Sequence, residues 1–421
     1  MRIAIIGSGG REHAICQKIY ESKKIKKIFC IPGNGGTSEI ANNVAININN
    51  FEEIKSFLIN KNIDLTIVGP EEPLVNGIVD FLNNEGLKVF GPDKFCSRLE
   101  GSKIFTKKIC KLKNIPTANF EIFKDKLSSL NYLKETKYPT VVKADGLAAG
   151  KGVYICENFE ESSNAVMEIF NGKFGIAKQI LIEEFLRGDE MSYFVISDGK
   201  HFKNFNTAQD HKRVGEGDTG PNTGGMGAYS PARLLTNDLE KKIKKKIIEP
   251  TLKAMKNLGY PYEGFLYAGL MINNKEPYLI EYNIRMGDPE CQVLMMKLKT
   301  DLLKIIDFST KNNLKNLKIK WDKNKCITIV LCANGYPGKY IKDREIKNLS
   351  TIVSDKNNQI FHAGTYEKNN KILSMGGRVL NVTCSAKSLD KAKAQSLSNL
   401  KKINWTDGFF RKDIGWRATK K

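Results

Sequence analysis

The chain has 421 residues, of which 41% are hydrophobic and 27% are charged. At roughly 150 residues per domain, this length predicts about three folding units, and the composition is that of a globular protein. The formal net charge is +21, but lysines are spread along the whole chain, and the dense runs 23–27 and 241–246 are interrupted by Ile. We interpret these runs as solvated helix faces, so the charge does not indicate a nucleic-acid partner.

Cysteine usage and hydropathy exclude other classes of protein. Nine Cys occur without a C-x-x-C pair and only four His are present, which indicates neither a zinc framework nor a disulfide scaffold. No run approaches the ~20 apolar residues that cross a bilayer. We therefore expect a protein of the reducing cytoplasm with no membrane anchor.

The first hundred residues alternate between β-branched runs and helical segments, as an open parallel α/β sheet requires. Strands are predicted at 2–6, 27–31, 65–68 and 88–90, and helices at 12–22, 51–61 and 74–85. Turn signals follow several of these strands. Ligands of such sheets bind at the carboxyl ends of the strands, so this edge is the predicted binding region.

The remaining chain mixes strands and helices of more varied order. Further strands are predicted at 140–143, 153–156, 179–183, 191–196, 264–272, 278–283 and 326–333. Helices are predicted near 93–113, 165–170, 238–257 and 389–403, the last of which Ser388 could cap. The pattern predicts a multidomain chain of α/β and α+β type.

A glycine-rich turn, Gly7-Ser8-Gly9-Gly10-Arg11-Glu12, follows the first strand and opens the first helix. Backbone N–H groups and the helix dipole attract phosphate at such a position. The turn departs from the dinucleotide motif G-x-G-x-x-G because Glu12 occupies the third glycine position, and no acid follows the second strand. We favour the phosphate of a mononucleotide-like substrate, with a nicotinamide dinucleotide and a structural turn as alternatives.

A second glycine-rich segment, KADGLAAGKG, runs from Lys143 to Gly152. It is not a Walker loop, because the glycine spacing is one residue short and Gly152 stands where Ser or Thr would hold Mg²⁺. Small residues between two strands can fold over a triphosphate while Lys143 and Lys151 offset its charge. A mobile hairpin with solvated lysines is the alternative.

Acidic residues end two predicted strands. Glu183 and Glu184 precede Gly188-Asp189-Glu190, an arrangement that suits a hinge whose backbone binds adenine and whose acid reaches a ribose; a solvated acid is the alternative. In Glu281-Tyr282-Asn283-Ile284-Arg285, alternation places Glu281, Asn283 and Arg285 on one face. Two oxygen ligands can hold Mg²⁺, and the arginine can stabilise a phosphoryl group; an exposed polar face is the alternative.

A long glycine-rich segment, 215–227, follows Asp210-His211-Lys212-Arg213. Its length exceeds that of a simple connection, which favours a functional or mobile loop. We interpret the lone His211 as a hydrogen-bonded support rather than as a catalytic base.

Several strings together resemble the glycinamide ribonucleotide synthetases (phosphoribosylamine-glycine ligases) of the ATP-grasp superfamily: GSGGREHA, VGPEEPLVNG, EGSK, KADGLAAGKGV, EEFLRGDE, QDHKRVGEGDTGPNTGGMGAYSP, EYNIRMGDPE, GGRV and RKDIGWR. The likeness covers essentially the whole chain, and the segment 209–231 is peculiar to this family. It implies an N-terminal Rossmann-like substrate domain at 1–102 and ATP-grasp lobes at 103–325, with a lid at about 121–187. A small C-terminal α/β domain would then span 326–421.

The resemblance implies that ATP phosphorylates glycine and that 5-phosphoribosylamine displaces phosphate from glycyl phosphate, the second step of purine synthesis. It further implies Mg²⁺ or Mn²⁺ as cofactor, small-molecule substrates only, and a cytoplasmic monomer. Another purine or carboxylating ATP-grasp enzyme is the alternative within the superfamily, and a Rossmann oxidoreductase is the alternative outside it.

The resemblance also assigns roles residue by residue. ATP would be bound by Lys103, Lys143, Lys151, Glu183, Glu184, Leu186 and Glu190. The metal would be held by Glu281 and Asn283, and catalysis would fall to Arg285, Lys143 and Asp210. The substrates would be bound by Gly9, Gly10, Arg11, Glu71, Lys212, Asn222, Thr223, Gly224, Gly225, Arg285 and Asp288, with Arg411 or Asp413 as further candidates.

Overall fold

The first hundred residues form a parallel sheet with helices on both faces. The computed structural model describes residues 1–147 and 152–419. The elements are β1 (Arg2–Gly7), α1 (Gly10–Tyr20), β2 (Lys27–Pro32), β3 (Asn42–Asn43), α2 (Phe51–Asn60), β4 (Leu65–Val68), α3 (Glu71–Asn76), α4 (Ile78–Asn84) and β5 (Val89–Phe90). Strand order is β3-β2-β1-β4-β5. Alternate residues of β1 enter two cores: Ile3 and Ile5 pack with α1, whereas Ala4 and Ile6 pack with α2 and α4.

The predicted single helix at 74–85 is wrong. The structure has two helices, α3 and α4, and the first begins at Glu71. Gly77 separates them with a φ of 95°, and its N–H donates to the carbonyls of Pro73 and Leu74. A left-handed residue ends a helix, and glycine adopts this conformation without steric cost.

A small antiparallel unit follows, with its own apolar core. Two helices, α5 (Arg98–Gly101) and α6 (Lys103–Lys113), precede this unit in the chain. The unit itself consists of β6 (Phe120–Phe123), α7 (Lys126–Glu135), β7 (Thr140–Ala144), β8 (Val153–Cys156), α8 (Phe159–Phe170) and β9 (Ile180–Glu184). The strand order is β6-β9-β7-β8. Leu133 and Val166 of the two helices pack on Val142 and Ile182 of the sheet.

The rest of the chain is built on one large sheet. Its elements are β10 (Asp189–Asp198), β11 (Phe202–Asp210), β12 (Arg213–Gly215), β13 (Thr219–Asn222), β14 (Gly227–Ser230), α9 (Asn237–Ile243), a π-helical turn (Lys244–Ile248), α10 (Glu249–Asn257), β15 (Glu263–Asn273), β16 (Glu276–Asn283), α11 (Glu290–Lys297), α12 (Leu302–Ser309), β17 (Lys325–Ala333), β18 (Glu345–Ile346), β19 (Asn358–His362), β20 (Thr365–Lys368), β21 (Lys371–Ser374), β22 (Arg378–Ala386), α13 (Leu389–Leu400), β23 (Gly408–Phe409) and α14 (Trp416–Thr419). The path β16-β15-β10-β11-β14-β17-β22-β19 is continuous, and β23 pairs with β17.

This path joins the central part of the chain to its last hundred residues. The link is the antiparallel pairing of β14 with β17, in which Gly227 lies opposite Ile329 and Ser230 opposite Cys326. Three further strands, β18, β21 and β20, form a separate small sheet.

Several predicted features of this region are confirmed. The segment 238–257 is helical throughout, with the π-helical turn inside it. Ser388 caps α13 by accepting a hydrogen bond from the Lys391 N–H. In the lysine run of this helical segment, Ile243 and Ile247 are buried while Lys245 and Lys246 are exposed. Among the described residues, no helix combines the length and apolar character needed to span a membrane.

Candidate active site

Two lysines, Lys107 and Lys143, contact the buried carboxylate of Glu183, and the charge of Lys143 also acts on Lys103. We call Lys103, Lys107, Lys143 and Glu183 the lysine cluster. Lys103 and Lys107 are four residues apart on α6, which places them on the same side of the helix. Lys143 Nζ donates to Glu183 Oε2 at 2.9 Å, and Lys107 Nζ lies 3.2 Å from the same oxygen. The other oxygen, Glu183 Oε1, is buried and has no partner among the described residues.

The lysine cluster carries more positive than negative charge. Lys107, Lys143 and Glu183 are each more than nine-tenths buried. Burial lowers the pKa of Lys107 even though Glu183 lies beside it, and burial also lowers the pKa of Lys103. Burying several cations with one carboxylate is costly unless an anion arrives to balance them. Lys103, Lys143 and Glu183 were predicted to bind ATP, whereas Lys107 was missed because its sequence signal is limited to its spacing from Lys103.

The start of the glycine-rich loop is tied to the first turn of α6. Asp145 accepts hydrogen bonds from Ser102 Oγ at 3.0 Å and from the Ile104 N–H at 3.1 Å. Lys103 Nζ donates to the Gly146 carbonyl at 2.9 Å. The loop therefore leaves β7 directly beside Lys103. Lys151, predicted to bind ATP, lies outside the described residues.

The segment after β9 supplies the predicted hinge residues. The Glu184 side chain accepts hydrogen bonds from the N–H and the side-chain amide of Asn119, at 3.0 and 3.1 Å. Leu186 is half-buried. Glu190, at the start of β10, lies 2.9 Å from Lys212 Nζ, which is also 4.0 Å from Glu281. The positive charge of Lys212 lowers the pKa of Glu190. Burial of Lys212 acts to lower the pKa of this lysine, but the charges of Glu190 and Glu281 together outweigh burial and raise it.

The end of β16 presents the predicted polar face. Glu281, Asn283 and Arg285 are half-buried, while Tyr282 and Ile284 between them are buried, so the predicted alternation is confirmed. Glu281 and Asn283 offer two oxygen ligands, which suits Mg²⁺ because this ion keeps waters and phosphate oxygens in its other positions. The described residues contain no group of three or more His, Cys, Asp or Glu that could hold a metal alone. Glu281 and Asn283 can therefore supply two positions of a metal's coordination shell.

Arg285 is fixed by two carboxylates from different parts of the chain. Its Nε donates to Glu71 at 3.1 Å and its Nη2 donates to Glu100 at 2.7 Å. The second oxygen of Glu100 accepts the Ile284 N–H at 2.8 Å. Arg11 Nη1 lies 3.9 Å from Glu71, and Arg11 Nε pairs with Glu12. We call Arg11, Glu12, Glu71, Glu100 and Arg285 the arginine network.

The pKa values within the arginine network move in opposite directions. The guanidinium of Arg285 lowers the pKa of Glu71 to about 2. Burial raises the pKa of Glu100 to about 7 in spite of its bond to Arg285. Glu100 was missed as a site residue, although it belongs to the EGSK string.

The N-terminus of α1 is already occupied by carboxylates. The Gly9 N–H donates to Glu12 Oε2 at 2.7 Å, and the Arg11 N–H donates to Asp288 Oδ2 at 3.2 Å. Gly10 packs so closely that an added Cβ would lie 2.4 Å from the Asn381 amide nitrogen. A phosphate at Gly9 to Arg11 would have to displace these carboxylates, and the predicted substrate role of the turn stays a prediction.

Of the predicted loop residues, Thr223 contacts Lys212 and Gly225 lies beside Asp210. Thr223 bonds the Lys212 carbonyl through both its N–H and its hydroxyl, each at 2.8 Å. Gly225 has a φ of 109°, and a Cβ there would lie 2.8 Å from Asp210 Oδ1. That oxygen is buried without a partner in the described residues, and burial raises the pKa of Asp210 well above its usual range. Asn222 is exposed at the end of β13.

The expected long loop is largely folded, and a buried arginine holds it. Segment 213–222 forms the hairpin β12–β13. Arg411 binds Asp413, Asp218 and the Arg213 carbonyl. Both ring nitrogens of His211 are engaged, by Asp218 and by the Gly415 N–H. His211 is thus a support, as predicted, and the bonds of Arg411 and Asp413 favour a clamp on the hairpin over the predicted contact with a substrate.

Comparison with known proteins gives matches along nearly the whole chain. The phosphoribosylglycinamide synthetase family models match by their N domain at residues 1–100, by their ATP-grasp (A) domain at 101–291 and by their C domain at 326–417. A phosphoribosylamine-glycine ligase of Brucella melitensis biotype 1 is 45% identical over 100% of this chain and 99% of its own length. One from Escherichia coli O157:H7 is 44% identical over 99% of both chains.

Solved structures agree with the family match. The crystal structure of phosphoribosylamine-glycine ligase from Thermotoga maritima superposes with a TM-score of 0.86 at 32% identity and covers 98% of this chain and 100% of its own. The biotin carboxylase domain of a Hydrogenobacter thermophilus 2-oxoglutarate carboxylase, in complex with MgADP and bicarbonate, has a TM-score of 0.75 at 18% identity, covers 97% of this chain and 91% of its own, and shows a shared fold. With family models matched in order along the sequence, the chain belongs to the phosphoribosylglycinamide synthetase family.

Proposed function

We propose that this protein joins glycine to 5-phosphoribosylamine at the expense of ATP, giving glycinamide ribonucleotide, ADP and phosphate, the second step of purine synthesis. The family membership supports the overall reaction. The observation that supports an ATP site is the excess of buried positive charge in the lysine cluster. A triphosphate is the ligand that would balance it.

ATP would lie between the lysine cluster and the end of β16. Lys103 and Lys143 are proposed to bind phosphates, with Lys151 from the loop, while Glu183 to Leu186 bind the adenine and Glu190 the ribose. The proximity of Lys103 to Glu281, whose charge acts on the lysine, supports one shared site. Glu281 and Asn283 would hold Mg²⁺ or Mn²⁺, which when bound supplies charge neutralisation at the phosphates.

The reaction needs activation because a carboxylate is a poor electrophile. Transfer of the terminal phosphoryl group of ATP to glycine gives glycyl phosphate, and attack by the amine of phosphoribosylamine then releases phosphate. Arg285 would stabilise the charge on the transferred group. Asp210, Lys212 and 222–225 would bind glycine, and Gly9, Gly10, Arg11 and Glu71 would bind the ribosylamine. Asp288 would be a further substrate-binding residue.

Water must be excluded while the acyl phosphate exists. We propose that the segment after β7, whose described start at Asp145 and Gly146 is bonded to α6, closes over the site. We further propose the division of the chain at 102 and 325, a lid at about 121–187, a cytoplasmic location and a monomeric state without nucleic-acid or membrane partners.

The test is phosphate release from ATP, measured with glycine and with phosphoribosylamine generated in place. The wild-type protein should require both substrates, and replacement of glycine by bicarbonate or formate should abolish release. A folded wild-type protein that is inactive with glycine, or active with bicarbonate instead, would contradict the proposal.

The metal site is tested by Glu281→Ala. Loss of a metal ligand should lower kcat/KM for MgATP by about 10²-fold or more. The matched control is Glu276→Ala on the same strand, whose carboxylate pairs with Lys242 and Lys246 at the surface. Equal activity of the two variants would remove Glu281 from the site.

A further inference from the structure

The backbone N–H and the carbonyl of Gly224 are both hydrogen-bonded to side chains from the last hundred residues of the chain. Its N–H donates to the hydroxyl of Tyr336, which follows β17, at 3.0 Å. Its carbonyl accepts a hydrogen bond from Nη1 of Arg378, the first residue of β22. No motif in the glycine-rich segment itself predicts these two contacts.

Arg378 also reaches a second part of the proposed site. The same Nη1 donates to the Asp288 carbonyl, and Nη2 lies 3.4 Å from the Asp288 carboxylate. Arg378 therefore ties segment 223–225 to the turn that contains Asp288. A side chain that bonds two backbone carbonyls and a carboxylate fixes their relative positions.

The contacts of Tyr336 and Arg378 with Gly224 fix the position of the next residue, Gly225, beside Asp210. The Gly225 N–H donates to Thr223 Oγ1 at 3.0 Å, and a Cβ on Gly225 would lie 2.5 Å from Pro289 and 2.8 Å from Asp210 Oδ1. Because Asp210 Oδ1 is buried and without a partner in the described part of the chain, it is suited to accept a hydrogen bond from a ligand. A small displacement of Gly224 would change the space beside this oxygen.

We propose that Tyr336 and Arg378 are positioning residues for the amino-acid substrate. By fixing Gly224 on both sides, they set the distance between segment 223–225 and Asp210, where the ammonium group of glycine binds. They touch the loop and not the reacting atoms, so their loss weakens glycine binding more than turnover. This inference rests on the proposed function and on the role of Asp210 within it.

The deciding variant is Tyr336→Phe, which removes one hydroxyl and keeps the ring. We expect the KM for glycine to rise about three- to tenfold, the effect of one lost hydrogen bond. The KM for ATP and kcat should change less than about twofold. The control is Tyr340→Phe, because Tyr340 lies beside Gly377 in the same apolar cluster but does not bind Gly224.

Arg378 gives an independent measurement. Arg378→Gln should raise the KM for glycine more than Tyr336→Phe does, and Arg378→Lys, which keeps a charged donor, should recover part of the loss. The midpoints of urea unfolding are measured for all variants, and Tyr336→Phe decides the question if Arg378→Gln does not fold.

Three outcomes overturn the inference. A folded Tyr336→Phe protein with the wild-type KM for glycine, or with equal increases in the KM for glycine and ATP, contradicts the positioning role while an active wild-type protein still supports the proposed function. A wild-type protein that does not use glycine contradicts both.

Discussion

The lysine cluster and the arginine network differ in their balance of charge. The lysine cluster has three cations and one carboxylate, and one oxygen of that carboxylate has no partner in the described residues. The arginine network has two cations and three carboxylates, and Arg285 is bonded to two of them. Lys107, Lys143 and Glu183 in the lysine cluster and Arg11 and Glu12 in the arginine network are buried, so in both regions a missing countercharge is costly.

This difference separates a region with an excess of cations from one in which carboxylates outnumber the cations. In the lysine cluster the remaining charge is available to a polyanion such as a triphosphate. In the arginine network the carboxylates fix Arg285 and join the first sheet, through Arg11 and Glu71, to the end of β16. Substitutions in the lysine cluster should therefore impair the use of ATP, whereas a substitution at Glu100 in the arginine network should change how stability depends on pH.

The largest effect is expected for Lys143→Met. The substitution removes a cation from the region that lacks anions, so kcat/KM for ATP should fall by about 10²-fold or more. Steady-state kinetics with varied ATP measure this, with glycine and the amine saturating. Wild-type kinetics would show that the lysine cluster is structural.

A smaller effect is expected for Lys107→Met. Within residues 1–147 and 152–419, Lys143 is then the cation that remains paired with Glu183, and the carboxylate holds it more tightly. The KM for ATP should therefore rise about tenfold, the effect of one charged hydrogen bond. The control is Lys111→Met, an exposed lysine on the same helix. An equal change in the KM for ATP in both variants would show that Lys107 does not act on ATP binding through Glu183.

The smallest effect is expected for Glu100→Gln and concerns pH. The folded protein raises the pKa of Glu100 from 4.5 to about 7. As pH rises from 4.5 to 7, the unfolded chain loses this proton first, so the contribution of Glu100 to stability is present at low pH and is lost on the alkaline side. Glu100→Gln lacks this titration, and its Tm relative to wild type should therefore be higher near pH ~8 than near pH ~5.

The control for this measurement is Glu121→Gln at an exposed carboxylate. Its Tm relative to wild type should be the same at both pH values. A difference for Glu100→Gln that is absent, or of opposite sign, would show that the carboxylate is ionised without cost and that the arginine network is fully compensated.

Sequence patterns predicted the parts of the fold that depend on local periodicity. The predicted β4 matches the structure residue for residue, and the alternation of Glu281, Asn283 and Arg285 is confirmed. The interruption of the helix at Gly77 was missed because a single glycine in an apolar helical pattern has two interpretations, a tolerated interior residue or a left-handed terminus.

Contacts between distant segments could not be predicted from such patterns. The hydrogen bond between Arg378 and Gly224 joins residues 154 positions apart. Lys107 lies on α6 and contacts Glu183 on β9. The resemblance to a family assigned roles to Asp210, Gly224 and Asp288 but gave no partner that positions them. Such partners depend on tertiary packing, which neither spacing nor residue type determines.

The pairing of β14 with β17 limits how this chain can be divided. A fragment ending before Lys325 would leave β14 with one open backbone edge and would expose Met226 and Tyr229, which are buried against Ile327 and Ile329. Open edges with apolar side chains promote aggregation. The last hundred residues are therefore not an exchangeable module, and fragment expression or grafting onto another catalytic core would have to retain both strands together.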